Sequence, residues 1–149
     1  MWPSPLRVLV RCFSGASLEA VVWRSLLFSS VSCNFVVIHA GVNDASHGRD
    51  SFASDFASSC DFARLTLASR FAASRIVISL LCLTSDLAVN ARIAVANRQL
   101  RDMAFAAGFG LISNDNLRIS DLTDVVHLNA AGTARLYNNI LSYLRADAT

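Results

Sequence analysis

The period of the hydrophobic pattern changes several times along the chain, and those changes divide it into elements. Residues 6–13 (LRVLVRCF) are rich in β-forming side chains and end at Ser14-Gly15, a turn signal. Ser17 then stands as a helix cap before residues 18–28, where apolar positions recur at helical spacing. Residues 34–40 (NFVVIHA) form a near-continuous apolar run closed by Gly41, which is how a strand buried on both faces reads. A long helix is predicted over 50–71, with Phe52, Phe56, Ala63 and Leu67 as core contacts. Residues 75–83 (RIVISLLCL) read as the next buried strand, and 86–107 as a helix with Ile93, Ala96, Leu100 and Phe105 on one stripe. A short strand at 108–112, a polar loop at 113–124 and a last helix over about 130–145, capped by Asn129, complete the series.

The order is β-α-β-α-β-α-β-α. Alternation of this kind predicts an α/β domain, a parallel sheet with helices on both faces. No repeat, linker or low-complexity tract interrupts the 149 residues, so a single domain over 1–149 is expected. That length buries about two-thirds of the unfolded surface, and 54% apolar residues excludes the disordered class.

Charge and cysteine content narrow the partners. The net charge is +2, and all 13 basic residues are arginines scattered from Arg7 to Arg145. Without a basic run, no nucleic-acid partner is expected. The apolar runs fall far short of the ~20 residues a membrane span needs. Arg7 and Arg11 interrupt the N-terminal apolar stretch, which does not read as a signal peptide, so a cytoplasmic location is expected. Cys12, Cys33, Cys60 and Cys82 form no C-x-x-C pair and stand at no zinc spacing with histidine, and so read as free thiols. Neither a metal nor an organic cofactor has an evident ligand set.

In open α/β sheets, chemistry sits beyond the carboxyl ends of the strands. Three such ends carry unusual residues. After the 34–40 strand comes Gly41-Val42-Asn43-Asp44, where Asn43 can aim its amide at a developing oxyanion, or the four residues can be ordinary turn chemistry. Before the last helix comes Asp124-Val125-Val126-His127. There an aspartate three residues ahead of a histidine can hold its tautomer, or the two can be a surface pair at a helix entrance. After the first strand, Gly15 lets a backbone N–H approach a ligand. His39, inside its strand, reads as a packed core histidine, and His47 as solvent-exposed.

In combination and order, G-x-N-D after a buried strand and D-x-x-H-L-N before the C-terminal helix resemble the SGNH/GDSL hydrolase superfamily. The nearest likeness is to retroelement-associated SGNH-like domains. Their third block reads like Val36 to Asp44 here, and their ends like Asn114 to Asn116 followed by Asp124 to Thr133. The resemblance covers residues 6–144. It implies a three-layer flavodoxin-like parallel sheet, ester hydrolysis by Ser-His-Asp chemistry on a small acyl-ester substrate, and no cofactor. It makes His127 the general base, Asp124 its orienting partner, Asn43 the side-chain oxyanion donor and Gly15 the backbone donor. Asp44 would belong to the turn.

One block of the family is missing. No G-D-S occurs in the chain, and only Met1 to Pro5 precede the segment that matches the family's second strand. The expectation is an N-terminally truncated domain that lacks the family's first strand and nucleophilic serine. In the strand order 2-1-3-4-5 the absent strand is the central one. Residues 6–13 must then pair directly with 34–40, or leave an exposed edge. Three functions stay open: an inactive or weakly active ester hydrolase (a pseudoenzyme), a non-catalytic retroelement-derived remnant or interaction module, and a flavodoxin-like domain binding a small ligand. The oligomeric state is not legible.

Overall fold

A computed structural model of the chain describes residues 7–11, 13, 15–28 and 32–147. In chain order the elements are α1 (Leu18–Ser25), β1 (Val36–Ile38), α2 (Val42–Ser46), α3 (Phe52–Ala68), β2 (Ile76–Ser79), α4 (Leu87–Ala107), β3 (Gly110–Ile112) and α5 (Ala130–Asp147). Short 3₁₀ turns follow α1 and precede β2 and α5. The strands make one parallel sheet in the order β1-β2-β3, with Val37, Val77 and Gly110 level across it. Among the described residues no helix is long and apolar enough to cross a membrane.

The strand alternation assigns the layers. Ile76 and Ile78 point into the main core with Leu18 and Val22 of α1, Phe56 and Leu67 of α3, and Ile93 and Leu100 of α4. Val77 points the other way, beside Gly110. A Cβ on Gly110 would meet the hydroxyl tip of Tyr143, so α5 lies against this second face. Helices thus cover both faces of the sheet, and all four residues of β2 are buried.

Local chemistry sets the helix starts. Ser17 accepts from the Ala20 N–H at 3.2 Å at the head of α1. Asp86 accepts from Ala88 and Val89 at 2.9 and 3.2 Å at the head of α4. Asn129 accepts from the Gly132 N–H at 2.9 Å at the head of α5.

Two expectations are corrected. The described residues of the predicted first strand, 7–11 and 13, carry no strand, and among the described residues β1 pairs with β2 alone. Leu6, Cys12 and Ser14 lie outside the described residues. Val8, Leu9 and Val10 are exposed, while Arg11 stacks over the Phe28 ring and Arg24 over Phe13. A β-rich sequence holds a strand only where cross-strand neighbours receive it. Here local cation–π contacts with α1 and the 3₁₀ turn after it hold the segment instead. The edge of β1 is therefore left open among the described residues.

The second correction is Phe105, which is 90% exposed. Five residues beyond Leu100, it lies well round the helix. Met103 and Ala104, at the i+3 and i+4 positions from Leu100, continue the stripe and are buried.

Candidate active site

The turn after residue 13 brings Gly15 to the Asn43 segment. Gly15 has φ 70°, and the Ala16 N–H donates to the Phe13 carbonyl at 3.2 Å to close the turn. Asn43 sits in the short helix α2, where its Nδ2 lies 3.4 Å from the Ala16 carbonyl. The two residues line one cleft of about 420 Å³, together with Asp44, His47, Arg49 and Ser59 among others. Gly15 and Asn43 are thus neighbours.

Asp44 works on the scaffold. Its Oδ2 accepts from the Leu18 N–H at 2.9 Å, which ties α2 to the first turn of α1. Burial pushes its carboxyl above the usual range, against the opposing pull of that N–H. His47 is exposed, with Nδ1 2.9 Å from the Asn43 carbonyl.

The Asp124–His127 pair forms at the tip of a small antiparallel loop. Leu122 bridges Leu128, and the Thr123 N–H donates to the His127 carbonyl at 2.7 Å. Within the loop, Asp124 Oδ1 accepts from the N–H groups of Val126 and His127 at 3.0 and 2.8 Å. His127 Nδ1 lies 2.8 Å from Asp124 Oδ2. The two backbone donors, joined by the ring, hold the Asp124 carboxyl down at about 2. Both side chains are more than half exposed, 74% for His127 and 55% for Asp124.

The loop is anchored on three sides. The Ser85 N–H donates to the Val125 carbonyl at 3.1 Å, which fixes the loop beside the segment after β2. The Asn129 N–H donates to the Asp121 carbonyl at 2.7 Å, and Asn129 Nδ2 to the Ser120 carbonyl at 2.9 Å. Asp121, only 4% exposed, accepts from the Arg118 N–H at 2.9 Å and faces Arg135 of α5 at 3.4 Å.

A further polar cluster was not visible in the sequence. His39 is half-buried just past β1, and its Nδ1 lies 2.9 Å from the hydroxyl of Ser79, a fully buried residue at the end of β2. Burial lowers the His39 pKa, against the pull of Ser79. Asn114 donates to the same hydroxyl at 3.0 Å and accepts from Asn139 of α5 at 2.9 Å. A strand-end His, Ser and Asn on separate segments carry no spacing signal, because only the parallel register brings them level.

The structure thus brings Gly15 to Asn43 and Asp124 to His127. Neither Asp124 nor His127 lines the cleft that Gly15 and Asn43 share. Among the described residues, no group of three His, Cys, Asp or Glu is placed to hold a metal ion. Cys33, Cys60 and Cys82 are free thiols; burial pushes Cys60 up to about 12 and Cys82 to about 11.

No protein-family model matches the sequence, and no curated protein matches it. Solved structures do match. An α/β hydrolase named LAE5, from the metagenome of Lake Arreo in Spain, superposes with a TM-score of 0.66 at 18% identity, over 87% of this chain and 68% of its own. A member of the lipolytic G-D-S-L family from Veillonella parvula gives 0.67 at 16% identity, over 86% and 74%. An acetyl xylan esterase, AlAXEase, gives 0.69 at 19% identity, over 88% and 77%. Such identities speak for the fold, and the chain has the α/β fold of SGNH/GDSL-type hydrolases, with three parallel strands of its sheet.

Proposed function

We propose that this chain is an ester-hydrolase-type domain, or part of one, that carries the acid–base and oxyanion groups and has no G-D-S in its own sequence. The observation that carries the reading is the carboxylate–imidazole pair of Asp124 and His127 at 2.8 Å. With Nδ1 on the carboxylate, Nε2 is the nitrogen left to take a proton. The names of the structural neighbours, an esterase and a lipolytic family member among them, support a carboxylic ester as substrate. Three strands among the described residues, and coverage of 68%, 74% and 77% of those neighbours, fit a chain that spans part of such a domain.

In this reading the nucleophile is water. Its oxygen attacks the acyl carbon as His127 Nε2 takes its proton. Asn43 Nδ2 and the Gly15 N–H stabilise the oxyanion, and the imidazolium returns the proton to the departing alcohol. Water lacks the pre-placed attack that a bound serine has, so turnover is slow.

A specific observation favours a second reading, a non-catalytic remnant or interaction module. The Gly15–Asn43 cleft is lined without Asp124 or His127, so the two halves of the machinery are not gathered in one cavity. Fluorophosphonate labelling of the folded chain, with p-nitrophenyl acetate turnover measured beside it, separates the readings. Turnover lost in both His127→Ala and Asn43→Ala supports the hydrolase, and a label on one serine would add a substitute nucleophile. Neither label nor His127-dependent turnover leaves the non-catalytic module.

A further inference from the structure

Among the described residues the sheet ends at β1, and its outer edge is unguarded. Residues 34–40 (NFVVIHA) carry no proline and no Asp, Glu, Lys or Arg, the residues that ordinarily keep an edge strand from pairing. Val36 and Val37 are half-buried, whereas all four residues of β2 are buried. One side of the β1 backbone bonds to β2. The N–H and C=O groups of the other side have no strand partner among the described residues.

Residues 7–11 present the matching half of a ladder. No backbone–backbone hydrogen bond joins them to another described residue, and the Val10 carbonyl accepts from the Arg11 side chain at 3.1 Å. Arg11 over the Phe28 ring and Arg24 over the Phe13 ring lay the segment along the C-terminal half of α1 and the turn after it. Trp23 and Leu27, one helical turn apart there, are 64% and 76% exposed. With Val8, Leu9 and Val10 they offer on the order of 500 Å² of apolar surface, the size of patch that marks an interaction site. Buried in both of two copies, such patches give on the order of 1,000 Å², the lower bound for a specific interface.

We propose that the chain pairs with a second copy of itself, residues 7–11 of each copy adding a strand to the open edge of β1 in the other. The occupant is the chain's own segment because that segment is β-forming, exposed and short of the same backbone partners that the edge lacks. A dyad forms both ladders at once and satisfies both sets of groups in each copy. Alternation fixes the faces. Val36 and Ile38 reach the main core, so Val8 and Val10, the all-apolar face of the incoming strand, extend it. Arg7 and Arg11 then flank Leu9 on the other face with their heads in solvent. Phe13 opens the turn that carries Gly15, so the partner's edge also braces one wall of the Gly15–Asn43 cleft. The pairing goes beyond the hydrolase reading and does not depend on it.

Sedimentation equilibrium of the whole chain should show a reversible monomer–dimer equilibrium. Leu9→Pro removes a ladder donor from an exposed segment, and the double change Val8→Asp/Val10→Asp puts carboxylates on the face to be buried. Each change enters the dimer twice, so each variant should raise the dimer dissociation constant at least tenfold. The far-UV circular dichroism of the dilute monomer should stay that of the parent, since neither change touches the core. In a mixture of ¹³C-labelled and unlabelled chains, isotope-filtered NOEs should join Val8 and Val10 of one copy to Val36 and Ile38 of the other. A chain that stays monomeric at every concentration overturns the pairing. So does a dimer that either variant leaves unweakened, or one whose NOEs join the copies through another surface. Turnover that depends on His127 in a monomeric chain sinks the pairing alone. A paired chain without turnover sinks the hydrolase reading alone.

Discussion

The side-chain carbonyl of Asn114 accepts a hydrogen bond from Asn139 at 2.9 Å, and through this contact α5 is joined to the end of β2. The amide of Asn114 is spent on the Ser79 hydroxyl and the Leu80 carbonyl, and the residue is 4% exposed. Asn116 bonds the same Asn139 from an exposed position. Asn114→Ala leaves buried partners unsatisfied and should cost roughly 1–3 kcal/mol, against about 0.5 kcal/mol or less for Asn116→Ala. Urea unfolding of the two variants checks this. Equal costs would mean that burial does not set the value of the cluster.

The α4 stripe gives a second test. Leu100 is 1% exposed and Phe105 is 90% exposed. Leu100→Ala should therefore lose about 2–5 kcal/mol, while Phe105→Ser should stay within about 0.5 kcal/mol of the parent. A large loss at Phe105 in a monomeric chain would restore the stripe that the sequence suggested.

These residues show what a single sequence makes legible. Runs such as RIVISLLCL and caps such as Ser17 and Asn129 report local preference, and β2, α1 and α5 follow from them. Phe105 was misread against its own spacing, since five residues from Leu100 is about 140° round a helix and off the stripe. The described residues of LRVLVRCF carry no strand because strand formation is decided by a neighbour, and no spacing announces that none of them pairs with β1. Of the candidate site, Asp124 and His127 were legible because their contact is local. The meeting of His39, Ser79 and Asn114 depends on sheet register, which the chain does not write in any one place.

His39 supplies the pH dependence. Burial holds the folded-state pKa below the ordinary 6.5, so the unfolded chain binds the proton first. Stability contributed by the neutral ring is therefore complete above about pH 6.5 and declines as the pH falls below it. His39→Gln keeps a polar partner for Ser79 and removes the titration. Its stability relative to the parent should rise between pH 7 and pH 5 in denaturant titrations. A parallel pH course in both proteins would remove His39 as the cause.

Gly41 precedes α2 with φ 132°, and a Cβ there would lie 3.2 Å from both Leu81 and Phe56. Backbone strain and crowding act together, so Gly41→Ala should cost roughly 1–3 kcal/mol. Because Asn43 stands two residues on, its amide resonance should shift as well. An unchanged melting curve would show that the turn relaxes freely.

Asp124 sets the tautomer of His127. Its carboxyl is held at about 2 by the His127 and Val126 N–H groups and the His127 ring. It is therefore ionised wherever the chain is handled near neutrality. What the pair adds to the loop is present above the ordinary 3.8 and lost as the pH falls toward 2. In the neutral ring, Nδ1–H donates to the carboxylate and Nε2 keeps its lone pair, the state a general base needs. Asp124→Asn can still accept from the two backbone N–H groups, so the loop should keep its shape. Its NH₂, however, is a donor, and it favours the opposite tautomer, with Nδ1 accepting and Nε2 protonated. The imidazole ¹⁵N shifts of the neutral ring should exchange their assignments between parent and variant. The same tautomer in both would mean that the 2.8 Å contact does not orient the ring, and His127 would then lose its claim to act as the base.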